Sequence, residues 1–388
     1  MRDRAVIEVV SGRHMVDVDA RQWDALAGET SPFLKHAFLL ALEESGAVTA
    51  TTGWQPHHVL VRDAQGLLAA MPLYLKNHSW GEYVFDWGWA DAYRRYGRPY
   101  YPKLVSAIPY TPSPSPRLLM RDELTAAQRD DIFQRVYEAV TAQAERQGAS
   151  SWHVLFPQTD ESAHWEQHGL IRREANQFHW RNQGYQDFDD FLARFSSRKR
   201  KNLRREREEV ARAGFNFVHL EGPQISARDW DIFYQFYQNT YHVRGQEAYL
   251  NRDFFARIGA TMADDLFLIM VEKDGSYVAG ALFFKNSHTL YGRYWGSQAD
   301  YYNLHFETCY YQGIDYCLRH GLQRFDAGAQ GEHKLRRGFE PVVTLSCHWV
   351  ADPAFRHAIE NFCVEEAQHM ALYREHAVGS LPFRRDGK

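Results

Sequence analysis

Twelve residues, Asp326 to Arg337, read DAGAQGEHKLRR and concentrate the chemistry of this chain. Asp326, Glu332, His333, Lys334, Arg336 and Arg337 bring acid, base and cation together just after a strand-like run. Gly328 and Gly331 permit tight turns and close approach of a ligand. Glu332 or His333 is placed to accept a proton, with Asp326 as a further acid of the group. Lys334, Arg336 and Arg337 suit a phosphate or carboxylate, the arginines with bidentate geometry. Composition alone favours a plainer account, a solvated loop whose charges pair with one another.

Other residues raise narrower questions. His305 and Glu307 lie near a helix start, NLHFETCYYQ, where the backbone dipole favours anions; Glu307 is equally well a helix-start carboxylate. Tyr294 and Trp295 end the preceding strand and either line a channel or pack a core. In the first half, Asp86, Trp87 and Tyr93, with Lys103 in YYPKL and Arg117 in TPSPSPRLL, read as an acceptor-binding face; loop packing explains them as well. The run Arg198 to Arg207, RKRKNLRRER, holds seven cations and one acid. It can track RNA phosphates, but a solvated helix face with partners such as Arg205 and Glu209 is preferred. HWEQH sets His164 and His168 four apart, yet Glu166 is misplaced for a zinc-protease motif and no third ligand follows, so no metal site is expected. There is no Gly-x-Ser-x-Gly elbow, and no cysteine sits in a catalytic setting.

What positions these groups is legible in outline. A chain of 388 residues implies two domains or three. It is 45% hydrophobic and 24% charged, as folded proteins are. A net charge of −4 argues against a constitutive nucleic-acid binder. Cys309, Cys317, Cys347 and Cys363 form no Cys-x-x-Cys pair and read as free thiols of a reducing cytoplasm. The N-terminus lacks a signal-peptide pattern, and no run approaches the ~20 apolar residues of a membrane helix. A cytoplasmic protein without membrane insertion is the expectation.

The strand-like runs repeat. His57–Arg62, Leu67–Lys76 and Tyr83–Trp89 form one set; LFLIMVEKDG, YVAGALFFKN and HTLYGRYWG form the other. Lys76-Asn77 and Lys285-Asn286 lie 285 − 76 = 209 positions apart, and Asp91 and Asp300 also 209. A duplicated domain follows, with a central meander of antiparallel strands and a junction near 180–190. Residues 97–116, rich in Pro and Tyr, read as loop or edge strand. Ser226-x-x-Asp229 reads as a capping box opening a helix.

FDWGWADAYRRYGRPYYPKLVSAIPYTP and LYGRYWGSQADYYNLHFETCYYQGIDYCLRHGLQRFDAGAQGEHKLRRGFEP resemble signature segments of the FemAB-like predicted N-acyltransferases. That resemblance implies an α+β fold of two tandem GNAT-like domains, 1–182 and 183–388, each a mixed, mainly antiparallel sheet flanked by helices. It implies transfer of an acyl or aminoacyl group to an amine. Glu332 or His333 would then be the base, Lys334 and Arg337 would orient a substrate, and Tyr294 and Trp295 would line the acyl channel. The acceptor would be a peptidoglycan precursor, a peptide or a small metabolite. No tightly bound cofactor is implied; acyl-CoA or aminoacyl-tRNA serves as co-substrate. Arg293-Tyr-Trp-Gly296-Ser-Gln298 stands where GNAT enzymes cradle a pyrophosphate, but its match is degenerate, which brings tRNA forward as a partner. The non-catalytic alternative is recognition of a muropeptide or peptide on the same fold.

Overall fold

A computed structural model describes residues 7–329 and 331–384. Residues 7–175 form strands β1 (Glu8–Arg13), β2 (Trp54–Pro56), β3 (His58–Asp63), β4 (Gly66–Met71), β5 (Tyr74–Lys76), β6 (Lys103–Ser106), β7 (Leu119–Met120) and β8 (Ser151–Leu155). Between them lie helices α1 (Ala20–Ala27), α2 (His36–Glu44), α3 (Trp87–Arg95), α4 (Ala126–Gln147) and α5 (Thr159–Gln167). There follow β9 (Ile171–Arg181), α6 (Phe188–Ala193), α7 (Ser197–Arg212), β10 (Asn216–Glu221), α8 (Ala227–His242), α9 (Arg252–Thr261), β11 (Leu266–Lys273), β12 (Ser276–Lys285) and β13 (Thr289–Ser297). A helix then runs from α10 (Leu304–Phe306) through a π-helical turn (Glu307–Tyr311) into α11 (Gln312–His320). β14 (Arg324–Asp326), β15 (Glu340–Val350) and α12 (Pro353–Gly379) complete it.

Two compact units result: the chain up to Ala175 with Val343–Ala371, and Asn176–Val342 with the chain from Leu372 on. They differ from the contiguous halves expected, 1–182 and 183–388, because Val343–Ala371 packs with the first unit. The reason is pairing and burial. Ser346–Val350 of β15 pairs antiparallel with Ser151–Leu155 of β8, and Cys347 and Trp349 join the core formed by Trp152, Val154 and Trp165.

In the first unit β1-β3-β4-β7 form a four-stranded sheet, and β15-β8-β6-β5-β2 are neighbours in a second layer of strands. Leu67–Lys76 is not one strand. Pro72 has no N–H to donate to a ladder, and on either side of it β4 pairs with β3 and β7 while β5 pairs with β2 and β6. The run Tyr83–Trp89 is not a strand either. It leads into α3, where Trp89 and Tyr93, four apart, are buried on one helical face. The third strand of this meander is β6, inside the Pro/Tyr-rich stretch that reads as loop or edge strand. β6 runs antiparallel to β5 and parallel to β8.

In the second unit the order is β10-β11-β12-β13-β14-β9. β11, β12 and β13 form the expected meander, and β13 and β14 are parallel. Thus Lys76 and Lys285 each end the second meander strand, but Trp87 opens a helix whereas Trp295 lies in β13. The internal match is sound at Lys76 and Lys285, and beyond them the two copies diverge into a helix in one and a strand in the other. Ser226 and Asp229 form the expected capping box of α8. Phe267, Phe283, Tyr316 and Phe325 lie at the centre of this unit's core, each buried ring contributing about 1.5–3 kcal/mol.

Candidate active site

In the second unit β13 and β14 pair only over Thr289–Tyr291 and Arg324–Asp326. Beyond that, the two carboxyl ends leave room. Leu282 faces Tyr294 and Phe283 faces Gly292, so Arg293 is the extra residue of a bulge in β13. Bulges re-aim a side chain, and here the guanidinium turns onto Asp326, Nη2 to Oδ2 at 2.7 Å and Nη1 to Oδ1 at 3.2 Å. Both side chains are almost wholly buried. The Gly328 amide also donates to Asp326 Oδ1, at 2.9 Å. Burial works against ionisation of Asp326, but Arg293 and then His179 hold its carboxyl below the usual carboxylate range. Asp326 is therefore a fixed anion in the wall of the site.

The far end of β13 is held by α8. Thr240 Oγ1 donates to Trp295 O at 2.8 Å, and Asn239 Nδ2 to Ser297 O at 2.7 Å. A Cβ at Gly296 would overlap the Phe236 carbonyl. This glycine serves the close packing of β13 on α8, and Arg293 to Ser297 is strand, not an open phosphate loop.

Between these walls is a cavity of about 90 Å³, lined by residues that include Trp295, His305, Cys309, Tyr310 and Ala327. At ~30 Å³ per water, it has room for about three waters. Tyr310 OH and His333 Nε2 are hydrogen-bonded at 2.8 Å. Burial, then Arg337 and Lys334, lower the His333 pKa to about 4, and burial, then His333, Arg337 and Lys334, bring His305 to about 4. Both imidazoles are neutral at neutral pH. Burial pushes the Tyr310 hydroxyl and the Cys309 thiol well up, so both keep their protons. Burial lowers the Lys334 pKa to about 8, with Asp326 opposing; its Nζ donates to Gly328 O at 2.7 Å and braces the loop.

The cluster read from sequence is therefore split. Tyr294, Trp295 and His305 line the cavity; His333 stands behind Tyr310, to which it is hydrogen-bonded, and Asp326 and Lys334 brace the neighbouring backbone through Arg293 and Gly328. Glu332 and Arg336 are exposed, and Glu332 accepts from Tyr373 OH at 2.9 Å. Arg337 is buried in other work: it binds Glu206 at 2.9 Å and His333 O at 2.9 Å, and lies 3.5 Å from the Phe306 ring centre. Glu307 is buried against Arg207, at 3.0 and 3.2 Å. Burial raises its pKa, and Arg207 opposes that shift. Tyr310 and Cys309 were not singled out. A helical reading of NLHFETCYYQ sets Tyr310 five positions after His305, and it is the π-helical turn that changes their relative facing.

In the first unit the supposed acceptor face is interior. Lys103 is wholly buried and donates to Glu82 at 2.8 Å, to Ser79 at 2.9 Å and to Asp86. Tyr100 donates to Asp86 at 2.6 Å, and Tyr93 stacks on Phe355. Arg117 is spent on backbone carbonyls: Leu155 O at 2.6 Å, Ser113 O at 2.8 Å and Ser115 O at 2.9 Å. Trp87 alone of these residues is exposed. Along α7, Arg204, Arg205 and Arg212 pair with Asp189, Glu209 and Glu208, while Leu203 and Val210 are buried. This is the solvated, amphipathic helix preferred from sequence. His164 bonds Asp160 O, and no metal-binding cluster occurs among the described residues.

The fold is shared with solved structures. FemX superposes with a TM-score of 0.51 at 12% identity, over 88% of this chain and 98% of that one. The C-terminal domain of a lysylphosphatidylglycerol synthetase from Agrobacterium fabrum gives 0.53 at 12%, over 90% and 96%. L-PGS from Bacillus licheniformis gives 0.50 at 12%, over 87% and 98%. No curated protein sequence matches significantly. The architecture is α+β, with two units of mixed, mainly antiparallel strands and flanking helices. The profile for the FemAB-like family, described as peptidoglycan biosynthesis/recognition, matches residues 14–385. With a match of that extent over strands, bulge and cavity alike, the chain belongs to the FemAB-like family.

Proposed function

We propose that this chain is an N-acyltransferase that moves an acyl or aminoacyl group from an activated donor to an amine, at the cavity between β13 and β14. The observation that carries the reading is the Tyr310–His333 pair: Tyr310 lines the cavity, and its protonated hydroxyl is backed by the neutral imidazole of His333. The amine nitrogen attacks the donor carbonyl, a C–N bond forms, and the carbonyl oxygen takes the charge. Collapse expels the donor's oxygen or sulfur. The proton lost by nitrogen passes through Tyr310 to His333, which returns it by the same route to the departing oxygen or sulfur. A base with a pKa of about 4 cannot deprotonate a free ammonium group, so the amine enters neutral and gives up its proton only after bond formation has made it acidic. Cys309 stays a thiol, which fits direct transfer. Exposed Glu332 has no part in this scheme.

The tight packing of Gly296 on α8 favours an aminoacyl-tRNA over acyl-CoA as donor, because it leaves no close approach for a pyrophosphate. The family's description favours a peptidoglycan precursor or peptide amine as acceptor. The test is incubation of the purified chain with aminoacyl-tRNA and acyl-CoA pools and amine acceptors, read by mass spectrometry. Acylated amine made by the wild type and lost in Tyr310→Phe and His333→Ala is the expected result. Tight muropeptide binding with no turnover of either donor would overturn it in favour of a recognition protein.

A further inference from the structure

The first unit carries an outward aromatic face that transfer chemistry does not explain. Trp80, Phe85 and Trp87 are 53%, 55% and 39% exposed, and the two indoles pack on each other at 4.9 Å. On α3, positions 87, 91, 94 and 95 share one side, while Trp89 and Tyr93 are buried on the other. Trp87 and Arg94 are thus about 10 Å apart along the axis. Asp91 pairs with both Arg94 and Arg95, whose side chains remain 81% and 76% exposed. With Arg98 just beyond the helix, three cations face one acid.

These rings are held outward by construction. Lys103 ties down Ser79, Glu82 and Asp86 from beneath. Arg173 donates to Phe85 O at 2.9 Å and is itself clamped by Glu366 at 2.6 and 2.8 Å. Burying charges in this way is costly, and here they hold a segment whose largest side chains face water. Rings this exposed protrude, whereas small ligands are taken into concave sites. Phe85 has no polar atom to offer a soluble partner. Indole rings with a rim of arginines match the water–hydrocarbon boundary of a bilayer bearing anionic headgroups.

We propose that the face formed by Trp80, Phe85, Trp87, Arg94, Arg95 and Arg98 rests on an anionic lipid surface. No helix among the described residues is long and apolar enough to cross a membrane, so the association is peripheral and reversible. RNA is the weaker fit, since a convex patch of three arginines around one aspartate forms no charged groove to track a phosphate backbone. The proposal is independent of the transferase reading.

The test is co-sedimentation of the full chain with phosphatidylcholine vesicles, with and without about one-third phosphatidylglycerol. Binding to the anionic vesicles, weakening as salt rises, is expected. The variant Trp80→Ser/Phe85→Ser/Trp87→Ser and the variant Arg94→Glu/Arg98→Glu should each bind about tenfold less, with unchanged thermal unfolding. Three outcomes overturn the proposal: no sedimentation with either vesicle, equal binding to both, or variants that bind like the wild type. RNA binding lost in these variants without any vesicle binding overturns it as well.

Discussion

Each unit sets two parallel strands side by side, β6 with β8 in the first and β13 with β14 in the second, and their carboxyl ends have opposite fates. At the end of β8, Arg117 on a stiff, buried, proline-rich segment donates to Leu155 O and closes the strand end. At the end of β14, the arginine comes from within the neighbouring strand. Arg293 at the β13 bulge folds onto Asp326, and the space beyond stays open as a cavity lined by residues that include Tyr310 and His305. One strand pattern thus gives a plugged end or a cavity, depending on where a single cation is mounted.

Acid provides the largest test, and it strikes both units. His153, with a pKa lowered to about 3, and His179, His305 and His333, each at about 4, are depressed first of all by burial from an ordinary 6.5. In the folded chain they stay neutral where the unfolded chain binds protons. Their contribution is fully present above pH 6.5 and is lost as pH falls from 6.5 through about 4. Urea unfolding midpoints measured across that window should fall steeply. A flat profile would mean that the imidazoles are not buried as described.

The plug is tested next. Arg117→Met leaves three buried carbonyls without their donor and should destabilise the chain by about 3–5 kcal/mol, as should Lys103→Met, which strands Asp86 and Glu82. Chemical denaturation measures both. If Arg117→Met unfolds like the wild type, the contrast between the two strand ends fails. In the open site, Tyr310→Phe and His333→Ala should slow transfer about 100-fold with little change in unfolding, read by single-turnover assays. The smallest effect is expected at Glu332→Gln, within about twofold of wild-type activity, because an exposed carboxylate bonded to Tyr373 has no reach to the cavity. A large loss there would restore Glu332 as the base and move the site outward.

Much of this was legible in order. The meander β11–β13 follows from uninterrupted apolar runs and the Asp274-Gly275 turn, and α8 from its capping box. The place of β6 was hidden because its four residues sit among prolines and tyrosines that read as loop or edge strand, whereas it is paired on both sides. The helix at Trp87 was hidden because FDWGWADA carries aromatic residues that suit a strand equally well. The fate of the charges was illegible for a different reason. Lys103, Arg117 and Arg337 look like ligands for anions in any linear reading, yet all three are buried on partners of this chain, one of them 131 positions away.

By itself, the order of residues determined the family, the mixed helix-and-sheet class and the presence of two units, and it drew attention to 326–337, of which Ala327 lines the cavity. These depend on periodicity, capping and turn chemistry, which act over a few residues. Only the tertiary structure decided which of those polar groups meets a cavity, which is spent on the backbone, and that β15 serves the first unit. Burial and ion pairing join residues distant in sequence, and a bulge of one residue at Arg293 is enough to change which way a charge points.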